Sequence, residues 1–178
     1  LFLFQCKFNS FVKDMLRKPI NVSKMRKSSF IFLQSDYPEL YTLSELAEKL
    51  VGIDPNSSLT KARLFVEKLI LLMGEFERYE FTPKDTPNVR INKLYAARVF
   101  FFFFKSLLDT IRIAGNNATH NGDRSEKEAK YILKKLFKLA KWFYETYEGE
   151  DLGNIEYEPL EYTSSRAEVE DLTKQLEE

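Results

Sequence analysis

Residues 99–114 read VFFFFFKSLLDTIRIA, and the fold turns on how this stretch is taken. It is apolar on every side, so neither the period of a helix nor that of a strand stands out. Its length and its lack of β-branched alternation assign it to a helix. A helix that is apolar all round belongs in an interior. Five consecutive phenylalanines, Phe100, Phe101, Phe102, Phe103 and Phe104, cannot all face one core at about 3.6 residues per turn. Some of them must meet a second surface. That surface is either an interface with a second copy or a partner, or a neighbouring helix of the same chain.

The flanking segments are clearer. From Pro38 to Leu50, Leu40, Leu43, Ala47 and Leu50 recur at helical spacing. Thr42-x-x-Glu45 has the form of a capping box, and Gly52 is a C-terminal stop. Asp54 before Pro55 reads as an N-cap and first-turn proline. Leu59, Ala62, Val66, Leu69, Met73 and Phe76 then step by three and four, which predicts a long second helix. Pro83 and Pro87 mark 81–88 as a loop, with a third helix starting near Val89. After the turn signal Asn121-Gly122-Asp123, Ser125-x-x-Glu128 caps a last helix whose apolar face is Ala129, Ile132, Leu136, Ala140, Phe143 and Tyr147. The expectation is an all-α protein, an antiparallel bundle of four to five helices.

Composition sets outer limits. In 178 residues, 44% hydrophobic and 15% aromatic, there is material for one core plus tails. One cysteine, Cys6, allows no internal disulfide, and one histidine, His120, cannot supply clustered zinc ligands. A reducing, cytoplasmic setting with no metal and no cofactor is expected. The longest apolar run, Val99 to Phe104, is far below the roughly 18 residues of a membrane span.

The formal net charge of zero hides segregation. Residues 1–27 carry Lys7, Lys13, Arg17, Lys18, Lys24, Arg26 and Lys27 against Asp14 alone. This is either a basic arm for nucleic acid or a targeting peptide, or else upstream read-through ahead of Met25, and the last reading is preferred because the short LFLF patch has no signal-peptide core and no small-residue cleavage site. Residues 28–148 form the helical domain. Residues 149–178 are acidic: Gly153 and Pro159 mark a linker, and Ser165-x-x-Glu168 opens an amphipathic run with Val169, Leu172 and Leu176 that stops at Glu178 in mid-pattern. That ending reads as a truncated coiled-coil helix.

Three polar sets have chemical potential. Lys127, Lys130, Lys134, Lys138 and Lys141 make a basic stripe on the last helix, able to track a phosphate backbone of DNA or RNA. The bland reading, a solvated face diluted by Glu126, Glu128 and Glu145, is preferred. Arg112, Asn116 and His120 stand at i, i+4 and i+8. Imidazole and guanidinium are the minimum for metal-independent RNA cleavage, but eight helical residues span about 12 Å, so the set converges only if the helix breaks at Gly115 or a second subunit contributes to a dimeric groove. Otherwise Asn116 and His120 tie down the helix end. Arg63 and Glu67 are an i, i+4 pair beside the second helix's apolar stripe, of consequence chiefly if buried near Asn116.

Taken in order, SSFIFLQSDYPEL, AEKL, DPNSSLTKAR with Glu67, IRIAGNNATH and LAKWFYETY resemble the N-terminal helical domain of some type I restriction enzyme R subunits and related DEAD/DEAH-box helicases. That domain is the domain of unknown function DUF 4145, a HEPN-like family. The resemblance covers about residues 28–148. It implies a HEPN-like bundle, a tendency to pair with a second copy or with other restriction-complex subunits, and an accessory, non-catalytic role in restriction and antiviral defence. HEPN ribonucleases carry an arginine at the start of the motif ending in histidine. Here Gly115-Asn116-Asn117-Ala118-Thr119-His120 has glycine in that place, and Arg112 lies a turn earlier, which weighs against the alternative of a metal-independent ribonuclease.

Overall fold

A computed structural model describes residues 27–120 and 124–160. Its described residues are all-helical: a 3-10 turn at Ile31–Leu33, then α1 (Pro38–Leu50), α2 (Pro55–Phe76), α3 (Pro87–Ala96), α4 (Phe102–His120) and α5 (Glu126–Tyr147). The basic segment before Lys27, the Asn121-Gly122-Asp123 turn and the Val169, Leu172, Leu176 run lie outside the described residues.

Local chemistry sets most of the boundaries. Asp54 caps α2 by accepting the Ser57 backbone N–H at 3.0 Å, and that bond with the Ser57 hydroxyl holds its carboxyl below the usual range. Thr86 and Ser125 cap α3 and α5 in the same way. Three of the five helices have proline in the first turn, where the missing N–H costs nothing. Two boundary expectations are corrected. Thr42 is not a cap: Pro38 has already opened α1, and the Thr42 hydroxyl donates back to the Pro38 carbonyl at 2.8 Å. The third helix starts at Pro87, two residues before Val89, because Thr86 supplies the cap.

α2 is the central helix, with Leu59, Ala62, Phe65, Val66, Leu69 and Met73 buried along it. α1 runs antiparallel to it, as the Ser58 hydroxyl bonded to the Ala47 carbonyl and the Lys68–Glu39 ion pair require. α4 is antiparallel on another side, and α5 runs parallel, with Tyr147 near its end donating to Glu77 at the end of α2. The interior is rich in ring contacts: Phe30 meets Phe65 and Phe137, and Tyr37 meets Phe143. Tyr37 donates to Glu148 and Tyr144 to Asp36, so the polar tips of buried rings are satisfied at the rim. The hydrogen bond to Asp36, with some burial, pushes the Tyr144 hydroxyl up to about 12.

The phenylalanine run departs from an interior helix. α4 begins only at Phe102. Phe100 is buried and meets the Trp142 edge, and Phe104 stacks on the Trp142 ring at 4.1 Å between centroids. Phe101, Phe102 and Phe103 are exposed, at 81, 71 and 56%. The physical reason is the chain reversal at Arg98, whose φ of 61° ends α3. The run leaves that bend and enters α4 at the edge of the bundle, where only two of its five rings find an inward direction.

The acidic stretch after Glu148 lies along the bundle. Leu152 and Tyr157 pack against the core, Tyr157 beside Phe30 and Phe137. Ser29 and Glu158 exchange two hydrogen bonds, the serine hydroxyl donating to the Glu158 carbonyl at 2.8 Å and accepting from its N–H at 3.2 Å.

Candidate nucleic-acid interface

The lysines predicted to form a stripe fall on the outer side of α5, because Ala129, Ile132, Leu136, Phe137, Ala140 and Phe143 occupy its inner side. Lys127, Lys134 and Lys138 are exposed and make no ion pair with the described residues. Lys130 pairs with Glu126 at 2.5 Å and Lys141 with Glu145 at 2.7 Å. The stripe is thus neutralised at Lys130 and Lys141 and keeps its charge at Lys127, Lys134 and Lys138. Between Glu128 and Glu145 the sequence has no acidic residue.

The sequence reading did not single out a second row on this helix. Tyr131, Lys135, Lys138 and Trp142 stand at i, i+4, i+7 and i+11, hence along one line of the surface. Lys135 Nζ lies 4.7 Å over the Tyr131 ring. Trp142, half-buried, is backed by Phe104, with Phe103 edge-on to Phe104 at 5.2 Å. The spacing could have revealed the row, but its aromatics read as core and its lysines as solvated face.

Arg112, Asn116 and His120 are not brought together. α4 continues unbroken through Gly115 to His120, so the required break is absent. Arg112 instead reaches α3, its guanidinium 3.3 Å from the Asn88 amide oxygen and 3.5 Å from Asp109, which also binds Lys105. Asn116 accepts from Arg63 on α2 at 3.1 Å, and Arg63 is held in turn by Glu67 at 3.3 Å. The pair read as structural therefore joins α2 to α4, and its positive charge is balanced. His120 ends α4, exposed.

Gly115 has no room for a side chain. A Cβ at this position would lie 2.4 Å from Arg63 Cβ and 2.8 Å from the Leu59 carbonyl oxygen. The two helices touch backbone to backbone here, so no side chain fits.

The chain is similar to a type I restriction enzyme subunit. It is 28% identical over 120 residues, 67% of its own length, to the Type I restriction enzyme EcoKI endonuclease subunit of Escherichia coli (strain K12), and the matched part is 10% of that protein. The chain thus spans about a tenth of that relative. No family model matches the sequence, and no solved structure matches it.

Among the described residues no group of histidine, cysteine, aspartate or glutamate is placed to hold a metal ion. No helix of theirs is long and apolar enough to cross a membrane. The broad depressions near the acidic stretch are lined by surface groups such as Glu150, Asp151 and Asn154 and offer no enclosed site for a small substrate.

Proposed function

We propose that this chain is a non-catalytic helical domain of a type I restriction system, engaging nucleic acid through α5 and joining other subunits or a second copy through Phe101 and Phe102. The observation that carries the reading is the lysine-rich, acid-free sequence of residues 129–144 along α5, which suits a phosphate backbone. The similarity to a restriction endonuclease subunit supports the setting. A non-catalytic role is supported by the polar sets: within one chain Arg112 is committed to Asn88 and Asp109, and Arg63 to Glu67 and Asn116. That leaves exposed His120 without the convergent guanidinium that RNA cleavage needs.

The test is duplex DNA binding by fluorescence anisotropy across a salt series. Lys134→Gln and Lys138→Gln should each lower the salt slope by about 0.9, with circular dichroism unchanged. No salt-dependent binding would refute the reading. Metal-independent RNA cleavage lost in His120→Ala would replace it with a HEPN-type ribonuclease.

A further inference from the structure

The geometry points to single-stranded nucleic acid as the ligand of α5, with bases stacking on Tyr131 and at the Trp142 cluster and phosphates held by Lys134, Lys135 and Lys138. The inference rests on the reading above that this helix engages nucleic acid.

Lysines alone do not distinguish one strand from two, because both present phosphates. The aromatic side chains do. In a duplex the base faces are covered by their neighbours, so a protein ring can stack only on an unpaired base. Tyr131 is 58% exposed, an unusual place for a ring that takes part in no core contact. Lys135 covers one face of the ring at 4.7 Å, so a base would stack on the opposite face, with a positive charge held close by. At the other end, Phe104 stacks behind Trp142 with an interplanar angle of 23° and Phe100 abuts its edge. The indole is thereby fixed in orientation while half-buried, a pre-organised platform that gives up little entropy on binding.

The spacing suits a strand. Eleven helical residues separate Tyr131 from Trp142, about 16 Å, or roughly five nucleotides at the 3.4 Å stacked repeat. Lys134, Lys135 and Lys138 fill the interval, and α5 itself carries no carboxylate between Glu128 and Glu145. Charge thus lies between two aromatic surfaces along one helix face, the combination used in sequence-tolerant single-strand binding. A protein partner with an acidic face would use the lysines but would have no need of the ring at Tyr131.

The experiment titrates the full chain with a short oligothymidine and with a duplex of equal length. Anisotropy of the labelled strand is followed together with emission of Trp142, the sole tryptophan. The oligothymidine should bind more tightly than the duplex and quench Trp142. Tyr131→Ala should weaken oligothymidine binding about tenfold, the lower part of the range for loss of one stacked base, and leave duplex binding unchanged. Tyr131→Phe should retain it. Lys138→Gln should lower the single-strand salt slope by about 0.7.

Equal affinity for the two forms, or no effect of Tyr131→Ala, overturns the inference while leaving the phosphate-binding reading of α5 intact. Absence of binding to either form overturns both. Melting curves of the Tyr131 variants separate a binding defect from a folding one, since an exposed ring should contribute little to stability.

Discussion

Replacing Gly115 by alanine asks whether the α2–α4 contact is as tight as its geometry implies. In an ordinary helix interior the change stabilises by about 1 kcal/mol, because glycine is the poorer helix former. At this position the new methyl group would stand 2.4 Å from Arg63 Cβ and 2.8 Å from the Leu59 carbonyl oxygen. Ordinary contact requires about 1 Å more, and a gap of that size forfeits a quarter to a half of the dispersion energy between the separated surfaces. Overpacking of this kind costs about 1–3 kcal/mol. With backbone as one of the clashing groups, the upper end applies, and the net loss after the propensity gain is about 2 kcal/mol. Urea unfolding followed by circular dichroism should show a lower midpoint with an unchanged slope. Arg63→Ala should not rescue the variant, because the offending Cβ remains. A Gly115→Ala protein as stable as the parent, or more so, would refute the close approach.

Glu48 is buried under Ser28, which donates to it, and burial pushes its carboxyl from 4.5 to about 7. The folded chain therefore holds a proton that the unfolded chain releases, so stability should fall by about 3 kcal/mol as pH rises from 4.5 through 7. Thermal melts of Glu48→Gln across that window should lose this slope; an unaltered slope would remove Glu48 as its source. Asp54→Ala should cost about 1 kcal/mol by uncapping α2, read as a shift in denaturation midpoint, and a null result would mean water replaces the cap fully. Arg98 holds a φ of 61°, so Arg98→Gly should gain about 0.5–1 kcal/mol by relieving left-handed strain; a loss in the same melts would indicate that the arginine side chain contributes more than its backbone costs.

What the sequence reveals and what it conceals follow a physical division. Asp54–Pro55 and Ser125 are legible because a cap is decided by residues within one turn. The stripe from Leu59 to Met73 is legible because its period is regular. Thr42 misleads for the same local reason: a proline four residues earlier opens the helix first, and the motif then falls inside it. The phenylalanine run is opaque because uniform apolarity carries no direction, and which ring turns inward depends on the bend at Arg98. Arg63 meeting Asn116, and Arg112 meeting Asn88, are choices of helix packing with separations that no local pattern records. For the candidate interface, half of the surface was legible as the lysine stripe. Tyr131 and Trp142 remained hidden because exposure, not identity, separates a platform from a core ring.

The paired hydrogen bonds between Ser29 and Glu158 have a mechanical meaning. They bring the two flanks of the domain to neighbouring points, so chain leaving residue 27 and chain leaving residue 160 part from one pole. Tension applied between those flanks would load this clasp and the Tyr157 contact together with the bond from Ser28 to Glu48, so α1 would share the load with the clasp.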